Sequence, residues 1–164
     1  MTTPTDPPFA GEDHEAHVGR AIELAREAGD RGDGPFGTVL VRDDEVVLEA
    51  RNREVTDDDL AEHPELSLAR QAAREFDAET RAEITMYTST EPCPMCAAGT
   101  AYAGLGGVVY SVSGARLGDL HDGPAGIPCG EVFERLGREI PVHGPVLAEE
   151  GEAVHREFGA VDEE

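Results

Sequence analysis

"EITMYTSTEPCPMCAAGTAYAGLGGVVYSVS", Glu83 to Ser113, holds two strand-like runs around one short helical segment. "EITMYTS" is β-rich and bounded by turn-forming residues, and "GGVVYSVS" repeats that character after a glycine pair. Between them "PCPMCAAGTAYA" opens at a proline and is too rich in alanine to be a strand. A strand, a helix and a second strand within about thirty residues form a βαβ unit, whose crossover is right-handed and whose strands lie parallel. Pro94 fits the first helical position, where its missing N–H costs nothing. Cys93 and Cys96, three apart at that helix start, can therefore turn both sulfurs toward one point.

The flanking chain extends this unit. His14 to Gly29 places Val18, Ala21, Ile22, Ala25 and Ala28 on one helical stripe. Thr38–Arg42 and Val46–Ala50 are strands joined at Asp43–Asp44, the pattern of an antiparallel hairpin. Pro64 to about Phe76 is predicted helical, with Leu66, Ala69, Ala73 and Phe76 facing inward. "LGDLHDGPAGIPCG" reads as a loop or a pocket rim. Glu131–Leu136 is predicted helical, "EIPVHGPV" contains a short strand, and Glu149–Phe158 closes as a helix. The expected organisation is a disordered or extended arm over 1–13, then a single α/β domain over 14–164 with a partly parallel sheet.

Of the 164 residues 39% are apolar, enough for one core, and no run approaches the roughly 20 apolar residues of a membrane span. The polar, acidic "MTTPTDPPFAGED" does not resemble a signal peptide, so a cytoplasmic protein is expected. Every one of the 13 basic residues is arginine, against 35 acids, for a net charge of −22. A dispersed acidic shell suits a salt-rich cytoplasm and argues against a nucleic-acid partner. Three cysteines offer no disulfide framework, and Cys93-x-x-Cys96 in such a compartment points to metal or redox chemistry.

A second helix start repeats the first. Pro64 follows His63 as Pro94 follows Cys93, and Glu65 comes next. One imidazole and two thiolates suffice for a zinc ion with its fourth position open, which lowers the pKa of bound water to about 7. Cys129 is the one further cysteine that could close such a site, but a closed structural site leaves Glu65 without a purpose.

His63-Pro64-Glu65 followed by Pro92-Cys93-Pro94-Met95-Cys96 resembles the H-x-E…P-C-x-x-C signature of zinc deaminases acting on nucleobases. The resemblance to the cytidine deaminase-like superfamily runs from about Ala16 to Phe158. "YTSTEPCPMCAAG" is similar to its guanine, fungal-type cytosine and tRNA adenosine deaminases. It implies a three-layer α/β/α fold, with a mixed sheet of about five strands and helices on both faces. It also implies one zinc per chain on His63, Cys93 and Cys96, and Glu65 as the catalytic proton carrier. Asn52, Phe36 and the backbone at Pro64 would bind substrate, and His155 or Phe158 could reach it from the C-terminal segment. Where the family more often has alanine, Pro64 removes a backbone N–H that could touch the base. The resemblance further implies a homodimer acting on a small nucleobase, guanine or cytosine first, with a tRNA adenosine deaminase or a non-catalytic zinc module as alternatives.

Overall fold

The computed structural model describes residues 6–159. Its elements are α1 (His14–Asp30), β1 (Gly37–Arg42), β2 (Glu45–Arg51), α2 (Glu54–Asp57), α3 (Pro64–Glu75), α4 (Ala78–Arg81) and β3 (Thr85–Thr90). These are followed by α5 (Pro94–Ala103), β4 (Gly107–Val112), α6 (Gly114–Leu120), α7 (Cys129–Arg135), β5 (Val142–His143) and α8 (Ala148–Glu157). The strands form one mixed sheet in the order β2-β1-β3-β4-β5. β1 lies antiparallel to both β2 and β3, while β3, β4 and β5 run parallel, joined through crossovers that include α5 and α7.

Alternation along the strands divides the core into two layers. Val39, Val41, Tyr87 and Val109 pack with Val18, Ile22, Leu24 and Ala25 of α1 and Val154 of α8. Leu40, Met86 and Val108 point the other way, onto Leu68, Ala69 and Ala72 of α3, Ala97 and Ala101 of α5, and Phe133 of α7. The result is the three-layer α/β/α arrangement expected from the sequence.

The β1–β2 turn is tight because Asp43 and Asp44 both adopt positive φ, 53° and 62°, the left-handed pair that two-residue hairpins require. Asp44 also accepts hydrogen bonds from the Asp13 backbone N–H and from His17.

Several expectations change. The α3 stripe is rotated: Leu68, Ala69 and Ala72 are buried, whereas Ala73 is exposed and Leu66 only partly covered. Of the expected arm, residues 1–5 lie outside the described residues, and 6–13 make turns that bury Phe9 in the α1 layer. His17 is buried against Tyr87, and His14 lies 3.0 Å from the Tyr87 hydroxyl. The first part of the Gly/Pro-rich excursion forms α6. Among the described residues no helix is long and apolar enough to cross a membrane.

Candidate metal and active site

β3 ends at one edge of the sheet, and the chain there leads directly into α5. Because β1 is antiparallel to β3, its beginning lies at that same edge: the Gly37 N–H donates to Ser89 Oγ at 3.0 Å. The end of β2 arrives there too, with the Asn52 N–H donating to the Phe36 carbonyl at 3.0 Å. Phe36, Asn52 and the cysteine-bearing turn thus share one rim, the carboxyl edge of the parallel strands, where α/β sheets place ligands.

Two helix starts face this rim with the same backbone solution. His63 is the N-cap of α3 and Cys93 the N-cap of α5, both extended, with proline at the first helical position and no side-chain capping bond. Their side chains are therefore free for other work. His63 Nδ1 lies 3.4 Å from Cys96 Sγ and 3.6 Å from Cys93 Sγ. Among the described residues these three form the metal-competent group, their donor atoms all within 4.8 Å of one another.

The electrostatics of the trio fit a cation. Cys93 is held down to about 4, first by its hydrogen bond from Cys96 and also by His63, against the cost of burial. Cys96 is pushed far above the ordinary thiol range by that same bond and by burial. His63 is raised to about 9, chiefly by Cys93. Two adjacent sulfurs, Cys93 partly and Cys96 fully buried, cannot both ionise unaided, so one keeps its proton. A divalent ion removes that conflict, because thiols that coordinate it are deprotonated outright. Soft sulfur with imidazole in a three-donor set suits zinc.

Glu65, at the second position of α3, is 5% exposed. Burial comes first in pushing its carboxyl up to about 7, and the Cys93 thiolate adds to this; its own N–H and His63 oppose the rise. A carboxyl poised there can both take and release a proton at neutral pH.

Residues 11–112 match the family profile described as the cytidine and deoxycytidylate deaminase zinc-binding region. The chain belongs to this zinc-binding deaminase family. It is 30% identical over 152 residues to a "Probable cytosine deaminase" of Schizosaccharomyces pombe, covering 87% of this chain and 90% of that one. Against a guanine deaminase of Bacillus subtilis it is 36% identical over 99 residues, 60% of this chain and 64% of the relative. A solved structure from a study of A-to-I editing by tRNA:A34 deaminases superposes with a TM-score of 0.69 at 24% identity, over 85% of this chain and 98% of that one. The deaminase fold and one zinc per chain on His63, Cys93 and Cys96 follow from the family together with the trio.

The remaining expected site residues of the deaminase fall as follows. Asn52 is buried; its Oδ1 accepts the Glu54 N–H at 2.9 Å, and its Nδ2 lies 3.4 Å from Glu54 Oε1. A Cβ at Gly34 would come within 3.1 Å of the Phe36 ring and 3.6 Å of the Asn52 side chain. Pro64 is buried at the first position of α3. His155 is buried behind Phe36, with ring centroids 5.4 Å apart, and its Nε2 meets Thr90 Oγ1 at 2.8 Å. Phe158 turns away to pack against Gly29 of α1. Cys129 is not part of the trio: it begins α7, buried, with its N–H on Glu91 Oε2.

Two residues that sequence reasoning passed over organise the rim. Glu91 accepts from the Gly114 N–H and the Cys129 N–H, tying the starts of α6 and α7 to the cysteine turn. Its place directly before Pro92-Cys93 was the available signal. Glu54 lies 3.0 Å from His63 Nε2, and nothing in the acidic run around it sets it apart. Beside Cys93 a mainly apolar cavity of about 280 Å³ runs along Glu91–Pro94 to Leu117, His121 and Gly123–Ile127.

Proposed function

We propose that this zinc-dependent deaminase releases ammonia from a small aminated nucleobase, with guanine and cytosine the first candidates. The observation that carries the reading is Glu65, a carboxyl buried in the first turn of α3, two residues after His63 of the His63-Cys93-Cys96 trio. When bound there, zinc supplies a Lewis acid that makes water a nucleophile at neutral pH. Glu65 accepts a proton from the attacking water and delivers it to a ring nitrogen of the base. A second transfer through the same carboxyl protonates the exocyclic amine; the carbon–nitrogen bond breaks, ammonia leaves, and a carbonyl remains. Water and the aminated base are thereby converted to the oxo base and ammonia, with no oxidant or reductant. Asn52 holds the base by an amide hydrogen not engaged by Glu54, Phe36 packs against the ring, and the backbone at Pro64 and Glu65 borders its polar edge.

The net charge of −22 favours a free base over a polyanion. The second reading, adenosine deamination in tRNA, draws on the same signature and on the fold shared with the tRNA:A34 deaminase structure. In the first reading the enzyme is cytoplasmic and homodimeric. Ammonia release is to be assayed in high salt with free purines, pyrimidines and nucleosides, and with a tRNA anticodon stem-loop. Turnover of a free base with none on the stem-loop supports the proposal, and the opposite pattern replaces it with the second reading. Glu65→Ala should keep one zinc per chain while turnover falls by about 10²- to 10⁴-fold; undiminished turnover would remove Glu65 from the mechanism.

A further inference from the structure

We propose that Glu54 is a positioning residue: it locks the metal-binding tautomer of His63 and ties that ligand to Asn52. Glu54 Oε1 lies 3.0 Å from His63 Nε2. At that distance the carboxylate oxygen is the acceptor and the ring N–H the donor, which places the ring hydrogen on Nε2. The lone pair of the neutral ring is then on Nδ1, the nitrogen that faces both sulfurs. The same Oε1 lies 3.4 Å from Asn52 Nδ2, and Asn52 Oδ1 holds the Glu54 N–H at 2.9 Å. One carboxylate therefore joins the imidazole of the metal trio to the residue proposed to hold the base.

The backbone places this carboxylate in advance. Four residues of α2 make too few internal bonds to order themselves. Buried Asp33 supplies the order from beyond the helix: Oδ1 accepts the Val55 and Thr56 N–H groups at 3.0 and 2.8 Å, and Oδ2 accepts the Thr56 hydroxyl at 2.6 Å. Burial pushes Asp33 up, but the bonds from Thr56 and Val55 outweigh it, so the clamp stays ionised at neutral pH. Arg53 braces the same turn through Asp57. An exposed ion pair formed only by chance would be worth little, since ordering two free side chains cancels most of its attraction. Here the segment bearing Glu54 is already fixed, and a carboxylate behind a metal-bound imidazole holds the ring's orientation and raises its basicity.

The inference rests on the zinc assignment and not on the identity of the base, so its test needs no substrate. Zinc affinity is measured by chelator competition at one pH for the wild type, Glu54→Gln and Glu54→Ala, alongside visible spectra of the cobalt(II)-substituted proteins. Glu54→Ala should bind zinc about 10- to 100-fold more weakly, with shifted cobalt bands. Glu54→Gln, which keeps the shape and an acceptor oxygen, should fall between the two. Asp33→Asn should move affinity in the same direction by a smaller factor. If Glu54→Ala unfolds, Glu54→Gln decides on its own. Affinity within twofold of wild type and unchanged cobalt spectra in the folded variants overturn the proposal. A failed ammonia screen with these affinity losses intact would count only against the proposed substrate.

Discussion

Pro64 and Pro94 explain why a histidine and a cysteine thirty residues apart converge. Proline pushes the residue before it out of the helical region, so His63 (φ −82°, ψ 136°) and Cys93 (φ −67°, ψ 169°) are extended just where their helices begin. Both side chains then leave the helix axis toward the shared rim. His155 is a residue whose state only burial reveals. Desolvation, with help from His121, holds it down to about 4 from an ordinary 6.5, and its Nδ1 has no hydrogen-bond partner among the described residues. The unfolded chain therefore takes up this proton first as pH falls, and stability drops between about 6.5 and 4. The full effect is about 3 kcal/mol. Between pH 7.5 and 5, urea unfolding of the wild type should lose about 2 kcal/mol more than His155→Gln. Parallel losses in the two proteins would show that His155 is not held neutral.

At the scale of elements, α1 sits directly on β1, and Gly37 is the reason it can. A Cβ there would stand 2.3 Å from the Ala21 carbonyl oxygen and 2.5 Å from the Ala25 nitrogen, both backbone atoms that cannot swing aside. Gly37→Ala should destabilise by about 1–3 kcal/mol, read as a lower urea midpoint at unchanged slope. An unchanged midpoint would mean that α1 lifts off the sheet without cost. The boundaries of α1, β1, β2, α3 and α5 were legible to within a residue or two, because capping, proline and period are local signals. The phase of α3 was not. Ala69, Ala72 and Ala73 are nearly equivalent by composition, so the 3.6-residue period admits two stripes, and only packing against Leu40 and Met86 selects the one through Leu68 and Ala72.

Over the whole molecule, 13 arginines cannot neutralise 35 acids even where they are shared, as Arg20 is among Glu23, Glu27 and Glu49. The excess lies on the folded surface and repels itself. At about 0.01 M salt that repulsion reaches roughly 30 Å, and at 1 M only about 3 Å. The melting temperature should therefore climb steadily as salt is raised from low to molar concentration, which scanning calorimetry would measure. A salt-independent melting temperature would mean that the acidic shell is not an adaptation to salt.

By itself the sequence determined the metal donors, the carboxyl of Glu65 proposed as proton carrier beside them, and the strand–helix–strand unit that presents the cysteines. Each depends on neighbours along the chain: a proline after a ligand, a three-residue spacing, a period. Only the tertiary structure decided that β1 enters between β2 and β3, bringing Phe36 and Asn52 to the cysteine rim. It alone decided that Glu54, among so many acids, faces His63. Those pairings join residues far apart in the chain through strand register and buried hydrogen bonds, and no local preference of the backbone encodes them.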